Sequence, residues 1–218
     1  ICCISSVDEA KLAIKYGASA LGLVSEMPSG PGVIDENLIE EISSKVPPPI
    51  ATFLLTSKQN ADDIIIQHSK TKTNTLQLVD RLPQSELIKM KEKLPGVKLV
   101  QVIHVLDEQS IYESINVQNY VDALLLDSGN PKLKVKELGG TGRTHNWEIS
   151  RRIVELVNIP VFLAGGLNPE NVKEAIETVQ PFGLDICSGV RTNSRLDEEK
   201  LKLFFERANQ IYGGLFLI

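Results

Sequence analysis

The stretch PVFLAGGLNPENVKEAIETVQPFGLDICSGV, residues 160–190, decides how the chain is read. A short apolar run, 160–164, ends in Gly165 and Gly166. Helical spacing follows over 171–179, and a second apolar run, 183–187, ends in Ser188 and Gly189. Strand, glycine turn, helix, strand, glycine turn is the grammar of a parallel sheet covered by helices.

Working outward, the same alternation recurs roughly eight times. Strands are expected over 1–5, 18–24, 50–55, 75–79, 98–105, 122–127, 160–164 and 183–187. Helices are expected over 6–16, 35–46, 61–68, 85–93, 108–115, 147–157, 171–179 and 197–212. The opening Ser6-Val7-Asp8-Glu9 supplies an N-cap, and Pro47, Pro48 and Pro49 stop the second helix. Near-continuous apolar runs such as VDALLLD suit strands buried on both faces. Eight such units predict an α/β fold, a single (β/α)8 TIM barrel over 1–218, with an open doubly wound sheet as the structural alternative. The longest stretch without an element, 128–146, follows predicted strand six, and loops of that length in a compact domain usually carry function.

The formal charge of −5 comes with no basic block beyond 132–136, so nucleic acid is not expected as a partner. Cys2, Cys3 and Cys187 give no even disulfide framework and no CxxC spacing, which points to reduced thiols. No apolar run approaches the ~20 residues of a membrane span, and 215–218 is too short for an anchor. No basic-then-apolar leader opens the sequence. A cytoplasmic protein without a membrane partner is expected. His68, His104 and His145 are scattered without ligand spacing, so neither metal nor cofactor is expected.

In a barrel of this kind the active site lies where strands end, with phosphate held after strands seven and eight. Gly165 and Gly166, then Ser188 and Gly189, stand at those places. Small residues let backbone amides approach an anion, and a following helix start adds partial positive charge. Read singly, each glycine pair also fits a tight turn and nothing more.

LAGGLNPENV, PFGLDICSGV and LGGTGRTHNW resemble three signatures of the phosphoribosylanthranilate isomerases of tryptophan and aromatic amino acid biosynthesis, in order and spacing. ICCIS resembles that family's KICGIT-type first strand, and LLLDS its sixth-strand end. The resemblance covers the whole chain and is strongest from Val121 onward. It implies an aldose–ketose isomerase that converts a phosphoribosylated aminoaldose into its aminoketose by an Amadori rearrangement. Cys2 matches the family's base and Asp127 its acid. Gly140, Thr141 and Gly142 match a loop that folds over substrate, and Asp185 matches a strand-eight aspartate able to bind a sugar hydroxyl. From the residues alone, Cys2 also reads as a small buried hydrophobe, Asp127 as a loop cap and Asp185 as a salt-bridge partner.

The departures gather in the first half. The family's second strand runs into a GFVFYPKSPR-type motif whose arginine pairs with the anthranilate carboxylate, whereas 22–32 here contain no arginine. A common QLHG ending is Gln77-Leu78-Val79-Asp80, a fifth-strand lysine is Gln101, and the glycine after the first cysteine is Cys3. Arg143 and Arg191 are the candidate replacements for the missing cation, Arg191 lying nearer the phosphate end and better placed to add to that site; either also reads as a solvated surface charge. A phosphate-anchoring relative acting on, or binding, another sugar phosphate is the alternative function. The expected partner is a small sugar phosphate, and the oligomeric state is not legible.

Overall fold

The computed structural model describes residues 1–212. The 215–218 stretch and the end of the expected 1–218 domain lie outside them. Helices and strands alternate: α1 (Val7–Lys15), β1 (Ala20–Val24), α2 (Glu36–Lys45), β2 (Ala51–Thr56), α3 (Ala61–Thr71), β3 (Thr75–Leu78), α4 (Gln84–Lys93) and β4 (Lys98–His104) come first. Then follow α5 (Gln109–Val117), β5 (Ala123–Asp127), α6 (Trp147–Leu156), β6 (Val161–Leu163), α7 (Val172–Val179), β7 (Gly183–Leu184), the short strands β8 (Arg191–Thr192) and β9 (Arg195–Leu196), and α8 (Glu198–Tyr212). The main sheet runs β1 through β7 in sequence order, every neighbouring pair parallel. The architecture is a (β/α)8 TIM barrel, as the alternation predicts.

Side-chain parity builds two cores. Leu76, Leu78, Leu99, Ile103, Leu124 and Leu126 turn outward and pack under the helices. Val79, Val100, Val102, Ala123, Leu125 and Ala164 turn into the barrel. Helix ends follow local chemistry. Ser6 accepts the Glu9 amide at the start of α1, and α2 stops at Lys45, just ahead of the three prolines. Among the described residues, no helix is long and apolar enough to cross a membrane.

Two expected strands are irregular. Residues 1–5 close the barrel through Cys2 N to Ile186 O, Gly22 N to Ile1 O and Ile4 N to Gly22 O, yet form no regular strand. Cys3 sits at φ +61°, which breaks the extended run where the family motif carries glycine. Expected strand eight is regular only at Gly183–Leu184. Asp185 N still reaches Leu163 O, and the chain then turns into a single 3₁₀ turn at Ser188–Val190. The β8–β9 hairpin that follows was not foreseen. Its corner is Asn193 and Ser194, both at positive φ, a backbone that a two-residue hairpin requires.

Candidate active site

At the strand-end face a cleft gathers Cys2, Asp127, Gly140, Thr141, Gly142, Gly165, Gly166, Asp185 and Ser188. Nine of the ten residues singled out from the sequence therefore share one lining. Gly189 is the exception. A β-carbon there would lie 2.0 Å from the Leu167 carbonyl oxygen, so this glycine lets one turn pack on the other. Gly166 has a related task, at φ +64° with Arg143 and Thr144 backbone 2.6 Å from where a β-carbon would stand. The Asn168 and Asn171 side-chain amides both bond the Gly166 carbonyl oxygen, at 3.4 and 3.0 Å, which fixes that turn.

Asp127 ends β5 and is 8% exposed. One carboxyl oxygen accepts the Ser128 amide at 2.7 Å, and Ser128 Oγ lies 2.7 Å from Thr141 Oγ1 in the long loop. Burial raises the carboxyl above the ordinary range, against the pull of the Ser128 amide and His104. Asp185 faces the same interior, which settles its strand parity. Burial raises it too, and Asp127 adds to that rise. Cys2 is buried, with Cys3 Sγ donating to its sulfur at 3.7 Å. That hydrogen bond lowers the Cys2 thiol, but burial, Asp185 and Cys187 outweigh it and the net direction is up. Cys187 goes the other way, lowered by the Cys3 hydrogen bond and by Arg191 against the effect of burial.

These directions carry a stability consequence. A carboxyl raised in the fold disfavours the native state once pH passes its unfolded pKa of ~3.9, fully so above its folded value. Asp127→Asn should therefore raise Tm at pH 7 to 8, with the gain vanishing below about pH 4. Thermal melts across pH check this, and a Tm lowered at neutral pH would contradict it.

The long loop covers the site. Leu138 inserts among Cys2, Val24, Leu55, Val79 and Ala164 in the barrel interior. Ser29 Oγ holds the Lys136 carbonyl at 2.6 Å, and Lys136 itself pairs with Asp80. Beneath the loop the cleft stays open to solvent.

Neither arginine is free to serve the cleft. Arg143 pairs with Glu137 on the loop and is 61% exposed. Arg191, expected beside the phosphate end, is buried instead in an ion pair with Glu9, at 3.0 Å with side chains 8% and 13% exposed. Its guanidinium also donates to Cys3 O at 2.5 Å and Ser194 O at 3.1 Å. It pins the irregular closing segment at Cys3, the residue that stands at positive φ. Gln101 also lies away from the cleft, its amide bonding the Leu78, Asp80 and Val102 carbonyls. Each histidine has a local partner: His68 with Thr73 O, His104 with Val79 O and His145 with Ser150 Oγ. Burial lowers His145 to about 4, so its ring is neutral behind the Gly165 turn. No group of three or more potential metal ligands occurs among the described residues.

Sequence reasoning named Gln77 and Cys187 without placing them in the site and did not name Leu138, yet all three line the cleft. Gln77 carried a signal: a polar residue inside TLQLV, a run whose apolar density marks a strand buried on both faces.

Comparison with known proteins agrees with this geometry. An N-(5'-phosphoribosyl)anthranilate isomerase of Methanosarcina acetivorans is 34% identical over 229 residues, covering 99% of this chain and 94% of its own. The crystal structure of phosphoribosyl anthranilate isomerase from Thermotoga maritima superposes with a TM-score of 0.83 at 27% identity, covering 96% and 97% of the two chains. A phosphoribosyl anthranilate isomerase crystallised with reduced 1-(o-carboxyphenylamino)-1-deoxyribulose 5-phosphate gives 0.80 at 25% identity, covering 96% of each chain. Residues 1–207 match the family model described as N-(5'phosphoribosyl)anthranilate (PRA) isomerase, and the chain belongs to that family.

Proposed function

We propose that the protein converts N-(5'-phosphoribosyl)anthranilate into its 1-deoxyribulose isomer, with Asp127 as general acid and Cys2 as general base. The observation that carries this reading is the convergence of a buried thiol, a buried acid and two glycine turns on one cleft. Asp127, whose protonated form burial favours, gives its proton to the ring oxygen as the carbon one–oxygen bond breaks, leaving the open-chain iminium. Cys2, as thiolate, removes the proton from sugar carbon two, and the resulting enolamine tautomerises to the aminoketose. No cofactor takes part in this scheme. Asp185 is the candidate for a sugar hydroxyl, and Gly140, Thr141 and Gly142 close over the substrate.

The cleft is open to solvent and narrowest beneath Leu138 and its loop. With Leu138 seated among Cys2, Val24 and Val79, the loop over the site excludes water from the reacting groups once substrate is bound. The turns at Gly165, Gly166, Ser188 and Gly189 are the proposed phosphate cradle, built from backbone rather than from lysine or arginine. Gly166→Val should weaken sugar-phosphate binding by roughly 10- to 100-fold, the loss of one or two charge-assisted hydrogen bonds. Calorimetric titration with a ribulose phosphate measures it. Unchanged affinity in a folded variant would place the phosphate elsewhere.

We also propose that residues 1–218 form one barrel domain and that the enzyme works in the cytoplasm. The three free cysteines support a reducing compartment.

A further inference from the structure

The cleft contains a polar side chain with nothing to bind. Gln77 is 5% exposed and lines the cleft, and its carboxamide has no hydrogen-bond partner among the described residues. Its neighbours Leu76 and Leu78 face the outer core, so Gln77 faces the barrel interior alongside Val79. The amide atoms are not sealed from solvent, so the side chain is free to exchange water for a ligand group that matches its donors and acceptor.

Its place in the barrel says which part of a ligand it meets. The proposed phosphate turns follow β6 and β7, and two strands, β4 and β5, separate β3 from β6. In the other direction β3 is reached from β7 only through the closing segment, β1 and β2. A substrate anchored at Gly166 and Ser188 and running past Cys2 and Asp127 ends at β3. There Val24, Met27, Leu55 and Val79 give an apolar wall suited to a flat ring. No lysine or arginine is among the lining residues. The ionisable ones besides the thiols are Asp127 and Asp185, while Arg143, Arg191 and Lys136 are engaged with Glu137, Glu9 and Asp80.

We propose that Gln77 is the specificity-determining residue at the ring end of the substrate. Because no lysine or arginine joins it in the lining, the enzyme accepts N-aryl phosphoribosylamines with a neutral ortho carboxamide as well as those with the carboxylate. This rests on the isomerase reading above. A guanidinium offers only donors and rejects a carboxamide's N–H groups, whereas a glutamine amide turns over to present either its NH₂ or its oxygen. It donates to a carboxylate and pairs reciprocally with a carboxamide.

The test compares kcat/KM for N-(5'-phosphoribosyl)anthranilate and its 2-carboxamide counterpart in the wild type and in Gln77→Glu. The wild-type values should lie within about tenfold of each other, the gap between a charged and a neutral hydrogen bond. Gln77→Glu, whose carboxylate repels the acid, should move the ratio roughly 10²-fold toward the carboxamide. A wild-type preference for the acid of 10³-fold or more, or an unmoved ratio in a folded Gln77→Glu, overturns the proposal. The same ratio is also read as Kd for the reduced ketose phosphates carrying each group. Absence of turnover on both substrates counts against the isomerase reading, while the Kd ratio still decides the role of Gln77.

Discussion

Cys2→Ala and Asp127→Asn are each expected to lower kcat by about 10²- to 10⁴-fold, the scale of a lost general base or acid, with a far smaller change in substrate Kd. The pair is held by packing that the substitutions leave alone. Cys2 stays in the ladder through its amide to Ile186 O, and an asparagine oxygen still accepts the Ser128 amide that Asp127 accepts. The loss is therefore one of chemistry. Turnover needs a protonated Asp127 together with a Cys2 thiolate, and both groups are raised from their ordinary values. Below the acid limb both groups are protonated, and above the alkaline limb both are deprotonated, so kcat/KM should be bell-shaped. Its acid limb should lie above the ~3.9 of an ordinary aspartate, and its alkaline limb at or above the ~8.5 of an ordinary thiol. Full activity in Cys2→Ala would remove the thiol from the mechanism.

The second large effect concerns the anthranilate carboxylate. Relative to a family member that carries the second-loop arginine, this protein should bind N-(5'-phosphoribosyl)anthranilate more weakly by about 2–5 kcal/mol, the cost of truncating one partner of a buried charge pair. The sequence offered Arg143 and Arg191 as replacements, and both are committed to other carboxylates. Releasing Arg191 would leave Glu9 buried without its partner and free the Cys3 carbonyl, a loss of roughly 3–5 kcal/mol to the fold. Arg191→Ala should therefore act on stability rather than on carboxylate recognition. Arg143 stands on the loop over the site, and Arg143→Ala tests it directly. Side-by-side Kd values with an arginine-bearing relative measure the effect, and equal affinity would mean that another group holds the carboxylate.

Most of the barrel was legible because its signals are local. Caps, the three prolines and the apolar strand runs each act within a few residues, and the elements they predict appear in the expected order. The misses come from contacts between distant residues. Arg191 reads as a free cation near a glycine turn until Glu9, 182 positions away, is seen to hold it. Expected strand one looks regular until Cys3 adopts a left-handed backbone at the barrel seam. Asp185 and Gln77 hinged on strand parity, which a run buried on both faces does not reveal. The glycine turns, by contrast, were readable as a pair because their two positions are fixed by the fold.

The most direct measurement follows N-(5'-phosphoribosyl)anthranilate with the purified protein by proton NMR, in parallel for the wild type, Cys2→Ala and Asp127→Asn. The expected result is conversion to the 1-deoxyribulose isomer by the wild type, with at least ~10²-fold slower conversion by each variant and binding retained. Binding without conversion by the wild type, or conversion that survives both substitutions, would contradict the assignment of this cleft as an acid–base isomerase site.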